Sequence, residues 1–176
     1  MKAAGKEYGS ALYALAAEEH CEDDVLRGLR LVEGLFAENP GYAALLSNPA
    51  VKTSEHLALL DEAFGGSVHP YVLNFVKILC EKSALDILSQ SIGEYTALLY
   101  EARGILPVIA VSAVALDDEQ KAALARRLET ATGKSVLLSC CVDPSLIGGV
   151  KVCYEGKELD GTVAGRLAAM RQALLS

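Results

Sequence analysis

No stretch of this 176-residue chain is apolar for long enough to cross a membrane as a helix, which takes roughly 20 residues. A signal-peptide pattern is missing as well, because Lys, Glu and His interrupt the first twenty residues. The chain is therefore expected to stay on the cytosolic side of any membrane and to insert into none. Cys-x-x-Cys pairs are absent. The five cysteines (Cys21, Cys80, Cys140, Cys141 and Cys153) are odd in number and, without a secretory signal, read as free buried thiols. Cys140 and Cys141 are neighbours in a predicted strand, so they should point to opposite faces. His20, His56 and His69 are scattered, which gives no converging ligands and predicts no metal site.

Catalytic motifs are missing too. Gly133-Lys134-Ser135 resembles the tail of a phosphate-binding loop, but the glycine required five residues earlier is Leu128. The tripeptide also falls at a predicted helix end, where carbonyls rather than amides point outward. Gly148-Gly149 lacks the third glycine and the strand–turn–helix setting of a dinucleotide loop. No nucleophile elbow occurs. Asp117-Asp118-Glu119 reads as a charged helix start favoured by the dipole. These absences predict no catalytic residue, no cofactor and no small-molecule substrate. Linkers rich in Pro or Ser and internal repeats are likewise absent.

What remains is the composition of a folded protein, 52% hydrophobic and 22% charged. The net charge of −7 is unevenly placed. Residues 1–105 hold 8 Lys/Arg against 15 Asp/Glu, whereas residues 106–176 hold 8 against 8. An acidic first part repels phosphates, which argues against nucleic acid and anionic lipid. It suits a basic partner segment, and it also suits plain solubility.

The first hundred residues carry helical spacing. Tyr8, Leu12, Leu15 and Ala16 form one stripe, and Val25, Leu29, Val32 and Phe36 a second that ends at Asn39-Pro40-Gly41. A short turn over Tyr42–Leu46 should close at Asn48-Pro49. Leu57, Leu60 and Phe64 follow, stopped by Gly65-Gly66. Pro70 suits a first helical turn. The helix from Tyr71 to Cys80 is apolar on more than one face: Val72, Phe75, Val76 and Leu79 on one, Tyr71 and Ile78 off it. Leu85, Leu88, Ile92, Tyr95, Leu99 and Ala102 step by three and four, a long final helix. Six helices with short connections predict an antiparallel bundle.

The period changes at Gly104. Ile105–Val114 is β-branched and reads as a strand. Asp117 should cap a helix, with Gln120 completing a capping box and Gly133 ending it. Ser135–Val142 is a second strand. Asp143-Pro144-Ser145 is turn chemistry, and Gly148-Gly149 allows a bulge or a close backbone approach. Val150–Tyr154 and the reversal Glu155-Gly156-Lys157 form a hairpin. Asp160 is a good N-cap for a last helix with Val163, Leu167, Met170 and Leu174 on one face. The expected fold is thus α+β: an N-terminal antiparallel six-helix bundle over residues 1–104, then a small mixed α/β domain over 105–176.

Asp143-Pro144-Ser145-Leu146-Ile147-Gly148-Gly149-Val150, a short hairpin, then Leu159-Asp160-Gly161-Thr162-Val163-Ala164-Gly165-Arg166-Leu167, resembles the C-terminal signature of the delta subunit of bacterial F-type ATP synthases. The mitochondrial counterpart is the oligomycin-sensitivity-conferring protein. Tyr8-Gly9-Ser10-Ala11-Leu12-Tyr13 is similar to the family's opening Tyr-Ala-x-Ala-Leu-Phe. Leu46-Ser47-Asn48-Pro49 with Lys52, and Asn74-Phe75-Val76 with Leu79, resemble further family pieces. One departure is Glu81-Lys82-Ser83-Ala84-Leu85, where the family usually places an Arg.

The resemblance implies a non-catalytic connector. Its N-terminal bundle would bind the N-terminal helical segment of an alpha subunit, and its C-terminal domain the C-terminal ends of the peripheral-stalk b subunits. It would keep the catalytic head from turning with the rotor, so that proton flow drives ATP synthesis, at the cytoplasmic face of the bacterial membrane. The residues themselves point to the same kind of surface. A bundle helix with surplus apolar residues can line a groove for a partner helix. Tyr8, Leu12, Leu15, Tyr71, Phe75 and Leu79 are the candidate walls, and core packing is the competing reading for Leu12, Leu15, Phe75 and Leu79. Gly148, Gly149, Asp160 and Gly161 are expected to be structural. A second class of function stays open on the sequence alone. It is a small enzyme or ligand-binding protein with an interdomain pocket, in which Gly148-Gly149, Lys151 and Arg166 approach an anion.

Overall fold

A computed structural model describes residues 2–46, 51–154 and 156–162. The protein is α+β. Seven α-helices and four strands follow one another among these residues. The predicted stop at Asn48-Pro49, Glu155, Arg166 and the last helix with Val163, Leu167, Met170 and Leu174 lie outside the described residues. The chain divides into two compact units, Met1–Leu99 and Tyr100–Ser176. No helix among the described residues is long and apolar enough to cross a membrane.

The first unit holds α1 (Lys2–Glu18), α2 (Glu22–Glu38), α3 (Pro40–Leu46), α4 (Thr53–Phe64) and α5 (Pro70–Glu81). After α5 comes a 3₁₀ turn, Leu85–Ile87, and α6 (Leu88–Ala102) follows it. Several helices show a local cause. Glu22, Asp23 and Asp24 place negative charge in the first turn of α2, where the dipole favours it. Pro40 not only follows the end of α2 but opens α3, a position where its missing N–H costs nothing. His69 caps α5, its Nδ1 accepting from the Tyr71 N–H at 3.3 Å, with Pro70 next in the chain. Leu85 falls in the 3₁₀ turn rather than in the long helix that its spacing predicts.

One hydrophobic core joins all six helices. It contains Leu12, Ala16, Val25, Leu29, Val32, Leu46, Leu60, Phe64, Val72, Phe75, Val76, Leu79, Ile92, Tyr95 and Leu99. Polar anchors fix helix against helix. The Tyr95 hydroxyl donates to the Glu22 carbonyl at 3.0 Å, and the Tyr42 hydroxyl to the Leu59 carbonyl at 2.9 Å. Lys77 pairs with Asp61 at 2.6 Å, linking α5 to α4. Gly9 is a point of close approach between α1 and α6. A Cβ there would lie 2.5 Å from the Ser91 carbonyl oxygen, nearer than a methyl group can come.

The second unit is a sheet with one described helix. Its elements are β1 (Ile105–Ser112), α7 (Asp118–Thr132), β2 (Ser135–Val142), β3 (Val150–Tyr154) and β4 (Lys157–Asp160). The strand order is β2-β1-β3-β4. β1 runs parallel to β2, with Ile109 opposite Ser139, and antiparallel to β3, with Ala110 opposite Val152. β3 and β4 form the predicted hairpin, Tyr154 opposite Lys157. The capping box of α7 is complete: Asp117 Oδ1 accepts from the Gln120 N–H at 2.7 Å, and the Gln120 side chain accepts from the Asp117 N–H at 3.2 Å. Gly133 closes the helix with φ 69°. Leu124 and Leu128 of α7 cover Leu106, Val108 and Val152, a small separate core.

The cysteines correct the sequence reading. Only Cys80 is buried; Cys140 and Cys141 are exposed, and Cys21 and Cys153 half-buried. The reason is topological. β2 is an edge strand, so its far end is open to solvent on both faces.

Candidate functional site

Of the six apolar side chains on α1 and α5 expected to wall a groove, some sit in the core and some above it. Leu12, Phe75 and Leu79 belong to the core, with 5%, 5% and 0% of their surface exposed. Tyr8 and Tyr71 are half-buried and pack against that core from outside. Leu15 is 48% exposed. Tyr8 and Phe75 are brought together, ring centroids 6.3 Å apart and tilted by 54°, which bridges α1 to α5. Leu79, with no accessible surface, can only support such a groove from behind.

The angular positions on α1 explain the sorting. At about 100° per residue, Gly5, Gly9, Leu12 and Ala16 cluster on one side of the helix and face the core. Tyr8 and Leu15, seven residues apart, share the border of that side. On α5, Tyr71 and Ile78 bear the same relation, and Ile78 is 42% exposed. Ile78 is missing from the set expected on sequence, although its position off the main stripe is visible there. Tyr8 and Leu15 thus border the core side of α1, and Tyr71 and Ile78 that of α5, with Tyr8 reaching α5 through the Phe75 ring. Tyrosine suits such a border, with an apolar ring and a polar tip. The His69 ring lies edge-on to Tyr71, centroids 5.0 Å apart, and fixes the start of α5. A concave space of about 700 Å³ in this unit lies elsewhere, lined by Glu33, Phe36, Ala37, Ala43, Leu85 and Leu88.

The four residues expected to be structural converge in the second unit. Gly149 has φ 88°, and a Cβ there would sit 2.5 Å from the Gly161 carbonyl oxygen. A Cβ on Gly161 would meet the Val150 carbonyl oxygen at 2.8 Å, and the Gly161 N–H donates to that oxygen at 3.1 Å. Two chain segments therefore cross backbone to backbone. Gly148, with φ 156°, leads into the crossing. Asp160 ends β4, and its Oδ1 accepts from the Thr162 N–H at 2.9 Å. Thr162, through its side chain and then its backbone, and to a lesser degree Lys151, hold the Asp160 carboxyl below the usual aspartate range. Whether Asp160 caps a following helix lies outside the described residues. Lys151, which the alternative reading assigns to an anion, pairs with Glu158 at 2.7 Å.

None of these groups forms a nucleophile–base pair, and among the described residues no three His, Cys, Asp or Glu converge as metal ligands.

Known proteins carry the same pattern. The profile of the family described as ATP synthase delta (OSCP) subunit matches residues 4–174. ATP synthase subunit delta of Geobacillus sp. (strain WCH70) is 34% identical over 171 residues, covering 97% of this chain and 96% of that protein. The subunit delta of Chloroherpeton thalassium is 32% identical, covering 97% of this chain and 93% of its own. That of Priestia megaterium is 31% identical, covering 99% and 96%. Among solved structures, a chain of the Toxoplasma gondii mitochondrial ATP synthase hexamer shares the fold, with a TM-score of 0.77 at 19% identity over 98% of this chain and 97% of that one. The chain belongs to the ATP synthase delta (OSCP) subunit family, whose members are structural, non-catalytic parts of the ATP synthase stator.

Proposed function

We propose that this protein joins the alpha/beta catalytic head of a proton-translocating ATP synthase to the b subunits of the peripheral stalk, so that rotation is coupled to ATP synthesis. In this reading residues 1–104 act as an antiparallel six-helix bundle that grips the N-terminal helix of an alpha subunit. Residues 105–176 hold the C-terminal ends of the b subunits. The assembly sits peripherally at the cytoplasmic face of the cell membrane. The reading is carried by the partly or largely exposed apolar side chains that border α1 and α5, Tyr8, Leu15, Tyr71 and Ile78, taken as one strip on a helical unit with surplus acidic residues. An amphipathic helix can lie in such a strip, apolar face inward and basic residues outward. Slow dissociation under torque needs a desolvated apolar centre more than charges at the rim.

Calorimetry with a synthetic peptide of the alpha N-terminal helix tests the first contact. Tyr71→Asp and Leu15→Asp should each weaken binding about tenfold or more, with the helical signal unchanged. Phe75→Asp should abolish binding too, but it also buries a carboxylate in the core and so lowers the melting temperature. Unchanged affinity in both the Tyr71 and the Leu15 variant would defeat the assignment.

A further inference from the structure

β1 is paired on both edges and apolar on both faces. Leu106 and Val108 pack against α7, Ala110 shares their side of the strand, and all three are buried, at 1%, 1% and 0% exposure. Pro107, Ile109 and Val111 face the other way. A strand patterned like this is normally covered on both sides. Yet on the second face Ile109 is 49% exposed and its diagonal neighbour on β2, Leu137, 47%. The strand register places Leu137 beside Pro107 and Cys153 beside Ile109. Leu137, Pro107, Ile109 and Cys153 make an apolar patch with Ser139 at its β2 side, and its two large aliphatic side chains stay about half open to solvent.

Charge on that face is confined to one side. Ser135–Val142 contain no charged residue. The register puts Lys151, Glu158 and Asp160 on the same face at β3 and β4, two carboxylates against one ammonium. Lys151 and Glu158 neutralise each other at 2.7 Å, leaving the Asp160 carboxylate in surplus. The width is also informative. Four strands span about 14 Å between their outer axes at about 4.8 Å per gap, room for one helix of about 10 Å diameter rather than two abreast.

We propose that this face seats a single amphipathic helix of the peripheral stalk. Its apolar stripe lies over Ile109 and Leu137, and its Lys or Arg residues point toward Asp160. The proposal rests on the reading of the second unit as stalk-binding and adds the surface and the chemistry of what it holds.

The test uses the full chain and a synthetic peptide matching the C-terminal end of the stalk b protein from the same organism. Ile109→Asp and Leu137→Asp should each weaken peptide binding about tenfold or more. The melting temperature and the affinity for the alpha peptide should stay as in the parent. Asp160→Asn should weaken binding less, and mainly at low salt. If both Asp variants bind like the parent, the helix seats elsewhere and the proposal fails while stalk binding stands. If the parent itself does not bind the peptide, the stalk-binding reading fails and this proposal with it. A melting temperature lowered by several degrees in Ile109→Asp would show that residues of the same chain cover the face. A dimer in sedimentation that Ile109→Asp dissociates would show a second copy there. Either result overturns the proposal.

Discussion

Tyr95 shows how the helical unit reconciles burial with a polar atom. Its ring has no exposed surface, and burial pushes its phenol well above the ordinary range. The hydroxyl therefore stays neutral and donates to the Glu22 carbonyl at 3.0 Å, at the start of α2. Tyr95→Phe keeps the packing and removes this one bond, so chemical denaturation should report a loss of about 1 kcal/mol. A loss near zero would mean that water reaches Glu22. Gly149 is the stricter case, since it combines a left-handed backbone with a 2.5 Å approach to the Gly161 oxygen. Gly149→Val should destabilise the second unit by more than about 1 kcal/mol, read as a lower melting temperature of its β-sheet signal. The helical signal of the first unit serves as the internal reference. Gly9 marks the limit of reading hydrophobicity by eye. The core side of α1 is carried by Gly5, Gly9 and Ala16 with only Leu12 among large residues, because α6 passes so close. A stripe drawn through the largest side chains therefore drifts toward Leu15, which is 48% exposed.

At the scale of elements, the sequence is legible wherever local chemistry acts alone. Asp117, Gln120 and Gly133 define α7 to the residue, because caps are short-range bonds. Asp117→Ala removes one bond of the capping box and should cost about 1 kcal/mol, seen as a shifted urea midpoint with an unchanged slope. Elsewhere tertiary packing decides. Leu85 has the right spacing to extend α6, but the turn after Ser83, at φ 50°, sets it in a tighter 3₁₀ coil. Cys140 and Cys141 are apolar enough for a core, yet strand order puts them on an edge, and no local signal in the chain specifies strand order. The links around β3 have a pH signature of their own. Ser145 above all holds the Asp143 carboxyl below its usual range, as Thr162 does for Asp160. A carboxyl depressed on folding adds stability that is full above its unfolded pKa and is lost as pH falls through the folded value. The second unit should accordingly lose thermal stability as pH drops below about 4, and Asp143→Asn should flatten that slope.

At the scale of the whole molecule, the excess charge of −7 lies entirely within residues 1–105, which count 8 basic against 15 acidic side chains. Residues 106–176 are balanced. In the proposed contact the border residues of α1 and α5 are apolar, so this charge would do little for the contact itself and would act at longer range, on approach. An acidic surface raises the local concentration of a basic helix and speeds its encounter, and salt screens that effect over about 10 Å at 0.1 M. Once the helix is seated, the desolvated apolar centre governs departure. Stopped-flow mixing with the alpha peptide should therefore show an association rate that falls steeply as salt rises, while the dissociation rate barely changes. For a peptide that binds the balanced second unit, association should depend on salt far less. If salt instead accelerates dissociation from the helical unit, its grip is ionic, and Tyr71 and Leu15 are not the residues that hold the head.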